Sequence, residues 1–446
     1  METRDALTAT APRCHDPYLR CALYGAAQVA LGVKGCCVLA HSPQGCYQLV
    51  NAAFGWQGAD YTETFTLCTK LCEEEIVHGG EELLKRTIRE ARELRAPLLF
   101  VLSSCGPEIV GDDVEAVCED MQNEVDFKLV PVRCAGFRGD QNDGADMAFE
   151  AILKSLVTGE AKKVPGSVCI VAPHANGNPT WYGDLAWVKR MLAELGASQV
   201  FTLTHDTPVA DIPKIASAEY SLLLSHDAGQ KAVDYLTGHF GIQQLCRDLP
   251  FPIGFTNTRR WLAGLGDCFG RADVAEKMVA DGEKRVVEQC RRKGLEQFFM
   301  HHASSSIVAD ATVGIPLLRF ITEDLEMITG LVCLRSCLPS ARAVLDAEIK
   351  SLGLDCRVID HSDVYQARQA IGETRPQVVF GSNIERHAVE AFDIPWVFRI
   401  VNPESRFRTI DREYFGYTGM LNLIEVIENE WLDRNRSRER RYQARW

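Results

Sequence analysis

The feature that most constrains this chain is an alternation, repeated three times, of short apolar runs with longer amphipathic segments. Runs of strand length that are apolar throughout need cover on both faces, and parallel sheets flanked by helices supply it. In the first repeat Glu81 to Leu94 has helical periodicity, and after an Arg-Ala-Pro break Leu98 to Leu102 reads as a strand. Asp112 to Met121 reads as a second helix and Lys128 to Val132 as a second strand. Beyond the Gly/Lys/Pro linker Thr158 to Gly166 come strand Val168 to Ala172, helix Asp184 to Leu195, strands Gln199 to Leu203 and Tyr220 to Leu224, and helix Gln230 to His239. The third repeat runs through strand Ser306 to Ala309, helix Gly314 to Asp324, strand Gly330 to Arg335, helix Ser340 to Leu352 and strand Cys356 to Ile359. It ends with strands Gln377 to Gly381 and Trp396 to Ile400 and a helix from Leu421 to Asn435. The expected fold class is therefore α/β, with three Rossmann-like, doubly wound domains and parallel sheets. Their expected bounds are 15–165, 166–303 and 304–446, after an N-terminal extension, 1–14. Ligands in such folds gather beyond the carboxyl ends of strands, so cysteine and polar residues there carry the most weight.

Charge narrows the partners. Lys and Arg number 48 against 61 Asp and Glu, a formal charge of −13, which excludes nucleic acid as the main partner. The one segregated basic stretch is the tail, Arg434 to Arg445, expected to pair with an acidic surface or to fray. Met1 to Arg13 is polar and lacks the apolar run of a signal peptide, so the expected location is the cytoplasm. No stretch reaches the roughly 18 consecutive apolar residues of a membrane span, so no membrane association is expected. The 17 cysteines are then free thiols in a reducing compartment, each either a small buried hydrophobe or a metal ligand.

Three of them stand in loop contexts rich in small residues. Cys21 opens Cys-Ala-Leu-Tyr-Gly-Ala-Ala-Gln. Cys46 ends the turn His41-Ser-Pro-Gln-Gly-Cys46. Cys105 lies in Ser103-Ser-Cys-Gly-Pro-Glu-Ile-Val-Gly-Asp-Asp113, just past the strand that begins at Leu98. Glycine beside cysteine lets the backbone approach a bulky inorganic cluster and frees amide N–H groups for its sulfides. None of the three lies in a CxxC pair, so a zinc ribbon is unsupported. On composition alone, ligands and buried thiols both remain open readings.

These segments resemble component 1 of nitrogenase and its nitrogenase-like relatives. The likeness rests on the Cys21 segment ending in Gly25-Ala-Ala, the His-Ser-Pro-Gln-Gly-Cys46 turn, Val77-His-Gly-Gly80, and Cys105 with Ile109-Val-Gly-Asp-Asp113. It continues through Gly183-Asp-Leu, Pro250-Phe-Pro-Ile-Gly-Phe255-Thr-Asn-Thr and Gly416-Tyr-Thr-Gly419. The spacing, 25 residues from Cys21 to Cys46 and 59 from Cys46 to Cys105, is similar to the β-type subunit. The resemblance implies that Cys21, Cys46 and Cys105 are one half-site of an 8Fe-7S P-cluster, whose other half comes from an α-type subunit in an α2β2 heterotetramer. It also implies a separate ATP-dependent 4Fe-4S reductase as electron donor. The chain itself has no Gly-x-x-x-x-Gly-Lys-[Ser/Thr] phosphate loop. The family's active-site cofactor sits on a cysteine and a histidine of the α-type subunit. Here the middle-domain stretch Leu222-Leu-Leu-Ser225-His226-Asp227 has no cysteine, and Val401 to Gly419 has no histidine. The cofactor is therefore expected in the partner chain, with His226 read first as a loop histidine satisfied by hydrogen bonds and second as a ligand.

Other residues have plainer expected roles. Cys36 and Cys37 belong to an apolar strand and the core. Cys68 and Cys72, spaced i, i+4, would share one face of a helix, with a metal or redox role less expected than a structural one. Glu73-Glu-Glu75 reads as a solvated face, and Asp112 and Asp113 as carboxylates capping a helix N-terminus. Among family members, the cysteine contexts differ from those of the dark-operative tetrapyrrole reductases, and the long N-terminal extension of the molybdenum β subunit is absent. The expectation is the β-type subunit of a methylthio-alkane reductase, with a dinitrogen-reducing β subunit or a cofactor-assembly scaffold as alternatives.

Overall fold

The apolar runs do form parallel sheets, and they alternate in period two between two buried faces. In the computed structural model, which describes residues 19–57, 63–159, 161–172, 179–294, 300–401 and 410–439, the first sheet has the strand order Phe65–Cys68, Cys37–His41, Leu98–Ser103, Lys128–Arg133. Every pairing in it is parallel, with Leu39 opposite Val101 and Val101 opposite Pro131. Cys37, Leu39, Leu99, Val101 and Leu129 face one core with Leu84, Ile88, Val117 and Met121 of the flanking helices. Val38, Ala40, Phe100, Leu102, Val130 and Val132 face a second core with the helices Ala22–Leu31 and Gln141–Leu156. Both faces are dry, which is why the run Leu98–Ser103 carries no polar alternation.

The second sheet is ordered Gln243–Gln244, Ala218–Leu223, Val164–Val171, Gln199–Leu203. The third is ordered Arg357–Ile359, Ile328–Leu334, Ser304–Ala309, Val378–Gly381, Trp396–Arg399; both are parallel throughout. A short parallel pair, Val33–Lys34 with Thr207–Pro208, stitches the first region to the second. One apolar core is shared by the second and third sheets, so they are cemented by burial and not only by chain continuity. There Asp184 accepts the backbone N–H groups of Tyr414 (2.7 Å) and Phe415 (3.0 Å), while Gly416 N donates to Pro252 O at 2.7 Å. The motifs around residues 183, 252 and 416 thus meet in space and lock two sheets together.

Several expectations change. The segment Gly314 to Asp324 is an α-helix, Ala311–Arg319, that passes through Pro316 into a wider turn, Phe320–Asp324. Proline withholds one N–H from the ladder, and the last turn adopts different bonding. Cys68 and Cys72 share no helical face: Cys68 ends a strand and Cys72 caps the six-residue helix Glu73–His78. The acidic run is that helix's first turn, where carboxylates suit the helix dipole. The helices Phe255–Cys268 and Ala272–Lys293, the latter 22 residues long and mostly exposed, were not anticipated. The extension 1–14 and the tail from residue 440 lie outside the described residues; the final helix is Gly416–Glu439. No described helix is long and apolar enough to cross a membrane.

Candidate metal centre

The first sheet changes direction between Cys37–His41 and Leu98–Ser103. From the former strand the chain moves to one neighbour, Phe65–Cys68, and then returns to place Leu98–Ser103 on the other side. Such a switch point opens a crevice at the carboxyl ends of the two strands. Cys46 and Cys105 stand at that crevice: Cys46 in the first turn of helix Gln44–Gln57, Cys105 as the first residue of helix Cys105–Val110. Cys21 reaches the same place from another direction. It has extended backbone, precedes the fully buried helix Ala22–Leu31, and is held by a bridge to Asp140 and by Ala22 N donating to Gly139 O at 3.1 Å.

The three cysteines converge. A methyl group built on Gly136 would sit 3.2 Å from Cys105 Sγ and 3.7 Å from Cys21 Sγ, so both sulfurs border one point. Gly136 N donates to Cys105 Sγ at 3.1 Å. Burial pushes the Cys46 thiol up, and the neighbouring Cys105, Cys21 and Cys68 sulfurs push it further. A shared cation would relieve such repulsion between neighbouring sulfurs. All three are half-buried. Among the described residues no three His, Cys, Asp or Glu side chains close around a single ion. Three half-buried cysteines that gather at one crevice without enclosing an ion fit the edge of a large cluster better than a closed single-ion site.

Two buried carboxylates hold the loops that carry these sulfurs. His41 Nε2 lies 2.9 Å from Asp112 Oδ2, and Gly80 N donates to both oxygens of that carboxylate at 2.9 and 3.0 Å. A Cβ at Gly80 would come within 2.6 Å of Leu71 and 2.8 Å of Asp112, so this close approach requires glycine. Burial lowers the His41 pKa despite the Asp112 carboxylate, which pulls it up, so the ring is neutral near pH 7. Its Nε2–H then donates to the carboxylate and Nδ1 faces Thr69 Oγ1 at 3.2 Å. Ser104 N and Oγ both donate to His41 O, at 3.2 and 3.1 Å, directly before Cys105. Glu108 is the second carboxylate. Its side chain is 1% exposed and accepts from Ser103 Oγ, from Ala135 N at 3.4 Å and from Arg138 Nε at 2.5 Å. It thereby fixes the Cys134–Arg138 loop, which contains Gly136.

Asp112 is thus a buried partner of His41 and not a cap. Asp113 does cap, accepting from Glu115 N and Ala116 N at 3.2 and 3.1 Å. Sequence reasoning missed His41, Glu108 and Gly136. The signal for Gly136 was present, since Cys134-Ala-Gly136 follows strand Lys128–Arg133 just as Ser104-Cys-Gly106 follows its own strand. Cys36 and Cys37 are buried as expected, and burial pushes the thiols of Cys37, Cys118, Cys169 and Cys333 up to about 12. Cys68 donates to Ser42 O and accepts from Lys70 N, both at 3.3 Å, beside the Cys46 loop. His226 departs from its expected role. Its backbone is paired, to Thr312 Oγ1 and Leu338 N, but ring Nε2 is buried against Phe251 with no hydrogen-bond partner among the described residues. Burial depresses its pKa to about 3.

The family model of nitrogenase component 1 type oxidoreductases matches residues 21–432, and the chain belongs to that family. It is 27% identical over 283 residues to a nitrogenase molybdenum-iron protein alpha chain of Methanosarcina barkeri; the match covers 61% of this chain and 52% of that one, little more than half the relative's length. It is 26% identical over 339 residues to a nitrogenase vanadium-iron protein beta chain of Trichormus variabilis, covering 69% of each. A solved structure of nitrogenase Cp1 at pH 6.5 superposes with a TM-score of 0.78 over 96% of both chains at 18% identity, which bears on the fold alone.

Proposed function

We propose that this chain is the β-type subunit of a nitrogenase-like reductase, with Cys21, Cys46 and Cys105 as its half of an 8Fe-7S P-cluster shared with an α-type partner. The observation that carries the reading is the gathering of three half-buried thiols at the first sheet's switch point. In this reading the half-site is completed by a second chain, and exposed apolar side chains stand on the segments around it: Val77 and Ile109 are each 73% exposed and Phe137 is 60% exposed. Apolar side chains left in water beside an incomplete site support a partner seated there. When bound, the cluster supplies a store of electrons that passes them to the partner's reductive site. The chain's own residues hold the sulfurs at fixed spacing, exclude water from one side of them and lend N–H groups to them. In this reading a separate ATP-dependent 4Fe-4S reductase delivers the electrons, and the assembly is an α2β2 heterotetramer in the cytoplasm.

The proposed reaction is cleavage of a C–S bond in small methylthio-alkanes. Two electrons and two protons convert R–S–CH3 into R–H and CH3SH. The test is anaerobic co-purification with an α-type partner and its reductase, followed by assay with dimethyl sulfide, acetylene and dinitrogen. Methane and methanethiol in equal amounts, dependent on ATP, support the reading. Dinitrogen or acetylene reduction without thioether turnover replaces the substrate with that of a nitrogenase β subunit. Loss of the cluster to an apo-enzyme with no repeated turnover replaces the enzyme with an assembly scaffold.

A further inference from the structure

Gly136 borders two of the three thiols from the protein side. It opens the short turn Gly136–Arg138, which follows Ala135 in an extended conformation, at the carboxyl end of strand Lys128–Arg133. Its amide N donates to Cys105 Sγ at 3.1 Å. The space where its side chain would stand is bounded by Cys105 Sγ at 3.2 Å, Cys21 Cβ at 3.2 Å and Cys21 Sγ at 3.7 Å. Contacts of 3.2 Å are tighter than a methyl group accepts without its neighbours moving, and those neighbours are Cys105 Sγ and the Cβ that carries the Cys21 sulfur. The turn cannot retreat easily. Behind it Ala135 N and Arg138 Nε are tied to the buried Glu108 carboxylate, and Cys134 Sγ donates to Ser103 O at 3.4 Å.

We infer that Gly136 is a positioning residue of the cluster half-site: its N–H donates to the Cys105 thiolate, and its missing side chain sets the spacing between the Cys21 and Cys105 sulfurs. This inference rests on the reading of those cysteines as cluster ligands. A donor on a coordinating thiolate stabilises the more negative, reduced state of a cluster and so raises its potential. The spacing decides whether both sulfurs meet the cluster at once.

Two variants separate these effects in the complete complex with its partner. G136A keeps the N–H and adds the methyl; G136P adds bulk and removes the N–H. Proline is tolerated in the first position of a helical turn after an extended residue, so the backbone accommodates it. Iron per complex, the thermal midpoint and the reduction potential by EPR-monitored titration are the readouts. The expected result for G136A is loss of a substantial fraction of the cluster iron with an unchanged thermal midpoint of the iron-free chain. For G136P the iron that remains has a lower potential than in G136A. If both variants hold wild-type iron at the wild-type potential while C105A loses iron, the inference falls and the ligand assignment stands. If wild type and C105A hold the same iron, the ligand assignment falls first. Should G136P not assemble, the wild-type complex in D2O is examined by pulsed ENDOR in a paramagnetic state of the cluster. An exchangeable proton coupled through a cysteine sulfur in wild type, and retained with an altered coupling in G136A, supports the N–H donation; its absence from wild type overturns it.

Discussion

His41 Nε2 lies 2.9 Å from the carboxylate of Asp112, and through that contact the loop leading to Cys46 is joined to the loop that follows Cys105. The two residues come from opposite sides of the switch point, and Gly80 adds a third segment by donating to the same carboxylate. Removing Asp112 leaves a buried imidazole N–H and a buried backbone N–H without an acceptor. D112A is therefore expected to cost about 2–4 kcal/mol, and D112N, which keeps one acceptor oxygen, clearly less. Chemical denaturation of the iron-free chain measures both. Equal losses for the two variants would contradict the pairing.

Iron content separates ligand thiols from core thiols. Replacing Cys21, Cys46 or Cys105 singly by Ala is expected to remove at least half the iron from the purified complex. C118A changes none of it, because Cys118 is 3% exposed among Leu84, Ile88 and Val117 on the far face of the sheet. That control does cost stability, roughly 1 kcal/mol for the lost packing. Metal analysis of the four variants, normalised to complex, gives the answer.

Much of this was legible in the chain. Strands buried on both faces announce themselves as unbroken apolar runs, and nearly every strand from Leu98 onward lies within two residues of where its run places it. The placement of Cys46 and Cys105 just beyond strand ends was legible because glycine and serine beside a thiol at a strand end is an uncommon conjunction. What the sequence hid was long-range pairing. Asp112 and Asp113 are adjacent, yet one caps its own helix while the other turns inward to a histidine 71 positions earlier. Local rules describe the first choice only. Cys68 and Cys72 failed for the related reason that i, i+4 spacing implies a shared face only inside a helix, and the chain there leaves a strand and turns.

The apolar rim predicts the partner interface. Ile109 and Val77 are exposed beside Cys105 and the Ile76 side chain, which packs over Gly106. I109D puts a charge at the centre of a surface that a partner would dry, and is expected to weaken association with the α-type chain by roughly tenfold or more. The exposed position makes the fold indifferent to the change, so the thermal midpoint of the separate chain stays put. Sedimentation of mixed chains reads the loss. Y365D, at another exposed aromatic remote in sequence from the thiols, is the control and leaves association intact.

Asp324 predicts a pH dependence of stability. Its carboxylate accepts Phe255 N at 3.0 Å near the seam between the second and third sheets, and burial, with Glu323 adding to it, raises its pKa to about 7. The ordinary value is near 3.8. Between these limits the folded chain keeps a proton that the unfolded chain has released. Stability from this group is therefore full below about pH 4 and declines as pH rises through about 7, where a buried charge must be carried. D324N cannot ionise and still offers an oxygen to Phe255 N. Relative to wild type, it is expected to gain thermal stability on going from pH 5 to pH 8. Comparing the shift in midpoint between the two pH values cancels the other titrating groups, which both proteins share. An equal shift in wild type and variant would mean that Asp324 is ionised throughout and that its burial is offset by some other partner.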